Sequence, residues 1–259
     1  MSSPTVWSAG RYESLAQRIA SIAAQVVDAA DRRAPIGAAA LVDLACGTGS
    51  AALAAAAKGA RVTAVDITPE LIAIAAQKAA AADLSVSWVT ADAAATGLPA
   101  QSFDTVVSNM GIIYVEPTAQ VTEFERLLKP GATLAFSSWV RDADNPFWNP
   151  IVEVLGVPPA SDYSPDQWSE RDTIATRLSN GFTDVDIENG KHTWQFPSVD
   201  ATVKFLMNES PTHLSVLDKV DESTREELRA AFEAAMRARS DDTGVHFDSP
   251  YVVVTARRR

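Results

Sequence analysis

The stretch over residues 41–50, LVDLACGTGS, constrains the fold of this chain more than any other. It begins as an apolar run, ends in two glycines and leads at once into an alanine-rich segment. This order predicts a buried parallel strand, a tight turn and a helix start, an arrangement that binds nucleotide-like ligands. Glycine permits the sharp turn and a close ligand approach, and the first amides of the helix can donate to polar ligand atoms. Asp43 lies at the strand end, where a buried carboxylate without a partner is costly.

Two kinds of ligand-binding motif match this turn. GTGSAA (residues 47–52) fits the G-x-G-x-x-A pattern of dinucleotide enzymes. The longer run DLACGTG (residues 43–49) closely resembles motif I of the class I S-adenosylmethionine (SAM) methyltransferases, D-x-x-C/G-x-G-x-G. The resemblance implies an α/β, Rossmann-like fold. In that fold a seven-stranded, mostly parallel sheet has an antiparallel last strand, helices on both faces and helical cap insertions.

Acidic residues follow the next two predicted strands. The strand over 61–66 ends in Asp66, near the ~20-residue spacing after the turn at which a carboxylate accepts from ribose hydroxyls in nucleotide-binding folds. Ile67 is expected to cover one face of adenine. In the resembling family an acid after the third strand, here predicted over 86–89, accepts from the adenine amino group. The next amide reaches an adenine ring nitrogen, and Asp92 and Ala93 match these two positions.

Two further runs extend the resemblance over residues 41–139. LPAQSFDTVVSN (98–109) resembles the family run into the fourth strand, although Ala100 replaces a common aromatic residue, and LKPGA (128–132) resembles the turn before the fifth strand. The fourth strand ends at a switch point, so Asn109 is expected to line the methionine end of SAM. Tyr12 is expected either to point into the cofactor site, as in the family, or to anchor its own helix. The resemblance thus implies a cofactor site made of Tyr12, Asp43, Ala45, Gly47, Gly49, Asp66, Ile67, Asp92, Ala93 and Asn109.

Composition narrows the class of protein. The chain has 259 residues, 47% of them apolar, which is enough for one substantial core. Its net charge of −11 opposes a phosphate backbone and predicts no nucleic-acid partner. Cys46 is the single cysteine, which excludes an intramolecular disulfide and is typical of a reducing compartment. With no export signal and no apolar stretch of roughly 18 residues, we predict a cytoplasmic protein without membrane insertion, and a homodimer is compatible with this composition.

We predict a single SAM-dependent methyltransferase domain over residues 1–259. One amphipathic helix is predicted from Arg11 to just before Pro35, and another is predicted to start at Ser223, with a capping box to Glu226. The predicted parts are an N-terminal helical cap (1–34), a core (35–140, 169–196 and 248–259) and two substrate-cap insertions (141–168 and 197–247).

The resemblance implies methyl transfer from SAM to a small molecule, as in the ubiquinone and menaquinone methyltransferases and their natural-product relatives. Because the sulfonium is already activated, such a protein mainly positions the acceptor for in-line displacement and excludes water. We expect the acceptor to be a hydroxyl of an aromatic, quinone-like or natural-product molecule, with C- or N-methylation as the alternatives. Aromatic residues in the two insertions favour a ring-containing acceptor, unless they form the core of the insertions themselves.

The catalytic residues stay open at this point. A hydroxyl acceptor benefits from a base, and His213 and Tyr114 are the candidates that we single out. The other candidates for this role are His192, His246, Asp142 and Asp144. The histidines form no close ligand pair, so no metal site is predicted.

Two functions of other classes remain as alternatives. A nicotinamide-dependent oxidoreductase would usually need a Tyr-x-x-x-Lys pair or an equivalent proton donor. The residue four positions after each tyrosine is never lysine in this chain. A non-catalytic SAM-binding protein would carry the same cofactor residues.

Overall fold

The computed structural model describes residues 6–8, 11–159 and 163–259. Within these ranges the chain forms an eight-stranded sheet flanked by helices. The strands are β1 (Ala40–Leu44), β2 (Arg61–Asp66), β3 (Val86–Thr90), β4 (Phe103–Asn109), β5 (Leu128–Trp139), β6 (Phe182–Phe196), β7 (Ser240–Asp241) and β8 (Gly244–Arg258). The helices are α1 (Tyr12–Arg18), α2 (Ala20–Arg33), α3 (Ser50–Ala57), α4 (Pro69–Ala81), α5 (Pro117–Leu127), α6 (Asn149–Leu155), α7 (Arg171–Leu178), α8 (Val199–Asn208), α9 (Pro211–Leu217) and α10 (Glu222–Arg237).

The strand order is β3-β2-β1-β4-β5-β8-β6, with the two-residue β7 paired to β8. β1 pairs in parallel with β2 and β4, β2 pairs in parallel with β3, and β4 with β5. β8 runs antiparallel to β5. The predicted fold class is therefore confirmed, and β7 is a short addition that the sequence pattern does not predict. The strand order reverses between β1 and β4, so the carboxyl ends of these two strands form the switch point of the sheet.

The central strands are buried because their sequences are nearly continuous apolar runs. Leu41, Val42 and Leu44 in β1 and Val106 and Val107 in β4 are fully buried, as expected for parallel strands covered on both faces. The apolar stripe of α2 packs on β4 and β5 and against α3. This packing fixes the strand ends from which the candidate site is built.

Two helix predictions are corrected by the structure. The single helix predicted from Arg11 to before Pro35 is wrong, because the chain forms α1 and α2 with a non-helical Ile19 between them (φ −101°, ψ 9°). The predicted start of the later helix at Ser223 is also wrong. Asp221 is the N-cap of α10, and its carboxylate accepts from the amide of Thr224 at 2.9 Å.

The chain divides into two compact units. The helical unit comprises Met1–Arg18, Arg141–Asp162 and Lys191–Pro250, and the sheet unit comprises Ile19–Val140, Tyr163–Gly190 and Tyr251–Arg259. The structure groups α2 with the sheet, whereas the sequence pattern assigned residues 1–34 to a cap. The division of one domain into cap, core and insertions stays a prediction. Among the described residues, no helix is both long enough and apolar enough to cross a membrane.

Candidate functional site

The turn after β1 has a compact backbone that is fixed from the neighbouring strand. Ala45, Gly47 and Gly49 all have positive φ values, of 52°, 54° and 83°. The amide of Cys46 donates to the carbonyl of Val65 in β2 at 2.9 Å, and the amide of Gly49 donates to Cys46 at 2.9 Å. Ala45 adopts this left-handed conformation with a Cβ atom, which costs conformational energy and often marks a ligand site.

Asp66 ties the end of β2 to this turn. One carboxylate oxygen accepts from the amide of Gly47 at 2.8 Å, and the other accepts from the amide of Thr68 at 2.9 Å. Asp66 is only 6% exposed, and desolvation raises the pKa of its carboxyl although these amide bonds oppose the shift. A carboxylate has about four acceptor positions. The hydroxyl of Thr68 and the amide of Ile67 share these positions, so acceptance from ribose hydroxyls stays a prediction.

Asp43 lies in β1 just before the turn, and one of its two carboxylate oxygens has a hydrogen-bond partner. Its Oδ2 accepts from the amide of Ala52 in α3 at 2.9 Å, while the buried Oδ1 has no partner among the described residues. Burial raises the pKa of Asp43 to about 8; the Ala52 amide opposes the shift and the charge of Asp66 adds to it. The hydroxyl of Thr48 is also buried without a partner in the described part of the chain. Two such polar atoms beside one turn fit a site that receives a polar ligand.

The second glycine of the turn has a packing role that the sequence did not show. A Cβ atom at Gly49 would lie 2.9 Å from Cη2 of Trp88 and 3.1 Å from Cβ of Ala75. Gly49 is also the N-cap of α3, in the left-handed region. The absence of a side chain here is explained by helix packing and backbone conformation, and the contact of Gly49 with a cofactor stays a prediction.

The loop after β3 is held beside Asp66. The amide of Ala91 donates to the Asp66 carbonyl at 3.0 Å. Asp92 is exposed, and its Oδ1 accepts from the amide of Ala94 at 2.8 Å, while Ala93 is buried. Ile67 is 50% exposed, which is unusual for a large apolar side chain that follows a buried strand. Thus an exposed apolar surface, the acid after β2 and the acid after β3 lie on neighbouring strand ends.

The end of β4 is shaped by a hydroxyl group from β5. Ser137 donates from Oγ to the side-chain oxygen of Asn109 at 2.9 Å and accepts from the amide of Met110 at 3.0 Å. Met110 has a φ of 56°, a second left-handed residue with a Cβ atom at the switch point. Sequence reasoning missed Ser137, because a lone serine in an apolar strand carries no periodic signal.

A second buried serine joins the ends of β1 and β4. Ser108 donates to the carbonyl of Leu44 at 2.7 Å and accepts from the amide of Ile112 at 3.2 Å. Beside it, a Cβ atom on Gly111 would lie 2.5 Å from the carbonyl oxygen of Ala45. The ends of β1 and β4 therefore approach each other closely. The two left-handed residues, Ala45 and Met110, lie at this approach.

Tyr114 follows the switch point in a short 3-10 helix. It is 39% exposed overall, yet desolvation of its hydroxyl raises the pKa to about 12. At neutral pH it is therefore protonated and suited to donate a hydrogen bond rather than to accept a proton. The hydroxyl of Tyr163 donates to its carbonyl at 3.4 Å.

Nine of the ten predicted cofactor residues lie in the sheet unit, at or just after the carboxyl ends of β1 to β4. They are Asp43, Ala45, Gly47, Gly49, Asp66, Ile67, Asp92, Ala93 and Asn109. Tyr12 belongs to the helical unit, where its ring packs edge-on against Trp7 with centroids 6.1 Å apart.

His213 is buried in the helical unit with both ring nitrogens engaged. Nε2 lies 2.9 Å from the carbonyl oxygen of Phe147, and Nδ1 lies 2.8 Å from Oγ of Ser210. Because a carbonyl only accepts, Nε2 carries the proton and Nδ1 accepts from the serine. Burial lowers the pKa of His213 to about 4, against the raising effect of the Phe147 carbonyl. The ring is therefore held neutral in one tautomer.

The other polar candidates of the helical unit also have defined contacts. The ring of His192 packs edge-on against Trp194, and Nε2 of His246 lies 2.8 Å from the hydroxyl of Thr243. Asp144 pairs with Arg239. Asp142 accepts from the amide of Asp144 at 3.0 Å. Within the described ranges, no group of three or more histidine, cysteine or acidic side chains is placed to hold a metal ion.

The aromatic residues of the two insertions pack on one another. Phe147 lies at the centre of this cluster, with its ring centroid 4.8 Å from that of Phe247 and 5.0 Å from that of Trp194. Phe196 and Phe205 complete the cluster, and the guanidinium of Arg18 lies 4.1 Å from the Phe196 centroid. These rings form the core of the helical unit, so their presence alone does not indicate a ring-binding pocket.

The sequence of this chain is similar to a known family model and to known proteins. Residues 42–136 match the family model described as a methyltransferase domain. An uncharacterized protein of Mycobacterium tuberculosis is 28% identical over 200 residues, which cover 73% of this chain and 69% of that protein. Demethylmenaquinone methyltransferase of Clavibacter sepedonicus is 36% identical over 102 residues, 39% of this chain and 41% of that enzyme.

A solved structure shows the same fold. Phosphoethanolamine N-methyltransferase 2 of Haemonchus contortus, in complex with SAM, superposes with a TM-score of 0.55 at 18% identity. The match covers 90% of this chain and 52% of that one. The fold is therefore that of a methyltransferase known to bind SAM.

Proposed function

We propose that the chain is a class I SAM-dependent methyltransferase that acts on a small molecule, and that its acceptor is a hydroxyl on an aromatic, quinone-like or natural-product molecule. When bound, SAM supplies an activated methyl group on its sulfonium. The residues of the chain bind and orient the two reactants for in-line displacement and exclude water. C- or N-methylation of a similar molecule is the alternative.

The observation that supports the proposal most strongly is the hydrogen bond from the amide of Gly47 to the carboxylate of Asp66. This bond joins the turn after β1 to the acid at the end of β2. Asp66 would hold the ribose hydroxyls, and Asp92 with the amide of Ala93 would hold adenine. Asn109 and the turn after β1 would hold the methionine end. The orphan buried oxygens of Asp43 and Thr48 support a polar ligand at this turn.

Acid–base chemistry supports a phenol or quinol hydroxyl as the acceptor. The candidate bases are engaged in structural contacts: His213 is neutral and buried, and Asp144 pairs with Arg239. A phenol or quinol hydroxyl ionises near pH 10, much more easily than an aliphatic alcohol. Such an acceptor needs little help from a base, and the relative named demethylmenaquinone methyltransferase supports a quinone-like molecule as the acceptor. The roles of His213 and Tyr114 as catalytic residues are not part of this proposal.

Calorimetry tests the cofactor site. Purified protein is titrated with S-adenosylhomocysteine and separately with NADH, and the same titrations are repeated on Asp66→Ala. Asp104→Ala is the matched control, because Asp104 lies at the opposite end of the sheet and pairs with Lys129. We expect micromolar binding of S-adenosylhomocysteine by the native protein and the control, a loss of at least about tenfold in Asp66→Ala, and no binding of NADH. Binding of NADH alone would contradict the proposal.

An acceptor screen tests the reaction. The protein is incubated with SAM and a panel of phenols, quinols, aliphatic alcohols and amines, and the products are identified by mass spectrometry. Methyl ethers of phenols or quinols are expected, and ring-methylated products would favour the C-methylation alternative. Binding of S-adenosylhomocysteine without transfer to any acceptor class would favour a non-catalytic SAM-binding protein. Light scattering on the same sample tests the predicted homodimer, and the net charge of −11 still predicts no nucleic-acid partner.

A further inference from the structure

We propose that Gln120 and Glu123, on one face of α5, are positioning residues for adenine recognition. They hold the loop over residues 91–98 and so set how well the site distinguishes adenine from other bases. This inference rests on the proposed function of Asp92 and Ala93, and it extends that function to two residues that carry no binding role of their own.

Gln120 acts on the carboxylate of Asp92 through a single peptide plane. Its Nε2 donates to the carbonyl of Ala93 at 3.2 Å, and the amide on the other side of that peptide, from Ala94, donates to Oδ1 of Asp92 at 2.8 Å. The peptide group is planar and rigid. A rotation of this plane would therefore move the Asp92 carboxylate, and Gln120 holds the plane against such a rotation.

Glu123 fixes the far end of the same loop. One carboxylate oxygen accepts from both the amide of Thr96, at 3.0 Å, and its hydroxyl, at 2.6 Å. Glu123 is 4% exposed and pairs with Arg126 at 2.7 Å. Arg126 in turn donates to the carbonyl of Leu98 at 2.6 Å. Three residues at the spacing of one helix face thus hold the loop at Ala93, Thr96 and Leu98.

Stability does not explain the presence of glutamine at position 120. Its side chain is fully buried, and its Oε1 has no hydrogen-bond partner within the part of the chain that the structure describes. A buried acceptor without a partner costs about 1–3 kcal/mol; an apolar side chain of similar size avoids that cost at Oε1 but leaves the Ala93 carbonyl without its donor, so it changes the free energy of folding little. The amide at this position is therefore better explained by the geometry of Ala93 than by the free energy of folding.

The test compares two ligands that differ only at the adenine edge. Calorimetry gives the affinities for S-adenosylhomocysteine and S-inosylhomocysteine, in which a carbonyl oxygen replaces the exocyclic amine. The native protein is expected to prefer the adenine ligand. In Gln120→Leu and in Glu123→Gln we expect this preference to fall by about threefold to tenfold. For Gln120→Leu, the melting temperature is expected to change little, because the variant removes the unpaired Oε1 but also leaves the Ala93 carbonyl without this donor.

Phe124→Leu is the matched control, because Phe124 is fully buried on the same helix. It should lower the melting temperature and leave the ratio of the two affinities unchanged. An unchanged ratio in both Gln120→Leu and Glu123→Gln, or an equal loss of both affinities, would overturn the inference. Equal affinity of the native protein for both ligands would refute the assignment of Asp92 to adenine recognition. If the native protein bound neither ligand, the proposed cofactor site itself would be refuted. Either result would also overturn the inference about Gln120 and Glu123.

Discussion

The carboxylate of Asp66 lies 2.8 Å from the amide nitrogen of Gly47, so the last residue of β2 holds the first glycine of the turn after β1. Its other oxygen holds the amide of Thr68 at the start of the next helix. Both contacts are made within the chain itself, so its own backbone amides align the carboxylate with the turn. A cofactor that meets such a site pays little for ordering it.

The buried carboxyl of Asp43 predicts a pH dependence of stability. Its pKa is raised to about 8 in the folded state, against an ordinary value of 3.8. Between these values the folded protein keeps a proton that the unfolded chain releases, so the stability contributed by this group is full below pH 4 and is lost as the pH rises to 8. The loss is at most ~1.4 kcal/mol per pH unit. Urea unfolding of native protein and Asp43→Asn at several pH values measures the difference, and parallel curves from pH 5 to pH 8 would refute it.

Alanine substitutions at Gly49 and Gly97 distinguish two contributions to the free energy of unfolding, a side-chain clash and an unfavourable backbone conformation. Gly49 and Gly97 both have positive φ values, but only Gly49 has a neighbour, Trp88, at 2.9 Å from a built Cβ atom. We expect Gly97→Ala to lower the free energy of unfolding by about 1 kcal/mol and Gly49→Ala to lower it by about 2–4 kcal/mol. Chemical denaturation checks both. The double variant Gly49→Ala with Trp88→Leu should recover part of the loss, and no recovery would rule out crowding against Trp88 as the cause.

Ser137 is predicted to support cofactor binding without touching the cofactor. In Ser137→Ala the amide of Met110 and the side chain of Asn109 lose their shared partner, so the left-handed turn at Met110 loosens. We expect the affinity for S-adenosylhomocysteine to fall by about threefold to tenfold. Ser138→Ala is the control, since among the described residues the hydroxyl of Ser138 makes only long contacts, of 3.3 and 3.4 Å. Equal effects of the two substitutions in calorimetry would show that Ser137 has no special role.

His213 is predicted to stabilise the helical unit and not to shape the pH profile of methyl transfer. Its pKa is about 4 in the folded state and 6.5 in the ordinary state, so stability is lost as the pH falls from 6.5 towards 4, where the unfolded chain takes up the proton. His213→Gln should remove this acid sensitivity in thermal unfolding. Its kcat profile above pH 5 should match that of the native protein. If the kcat profile of His213→Gln instead lacked a limb that the native profile shows near pH 6–7, His213 would be identified as a base.

The sequence was sufficient to predict the sheet because parallel buried strands leave an unambiguous pattern. β1 and β2 are short apolar runs that stop at a glycine turn or at an acid, and β2 and β3 lie within one residue of their predicted bounds. Asp66 ends β2 and Asp92 follows β3, so the parallel pairing of these two strands brings both acids to one edge of the sheet. The local sequence therefore predicted the positions of these strands, and the family resemblance supplied the sheet arrangement and the candidate cofactor residues.

Other features depend on contacts between distant residues and have no local signal. Ser137 and Gln120 act on Asn109 and Ala93, which are 28 and 27 residues away in sequence. The helix break at Ile19 lacks the glycine or proline that usually marks one. At the start of α10, Ser223 offered a capping box, but Asp221 two residues earlier is an equally good cap and forms the bond.

β8 follows every other strand of the described chain but lies between β5 and β6 in the sheet. During translation, β6 leaves the ribosome before its neighbour β8 has been made, and one edge of β5 stays open until residues 251–257 emerge. Open strand edges recruit other chains. The nascent polypeptide therefore passes through an aggregation-prone interval before β8 is made, and Asp184, Asp186 and Glu188 place charges along β6 that discourage wrong pairing. A premature stop codon shortly before β8 would leave this edge exposed permanently.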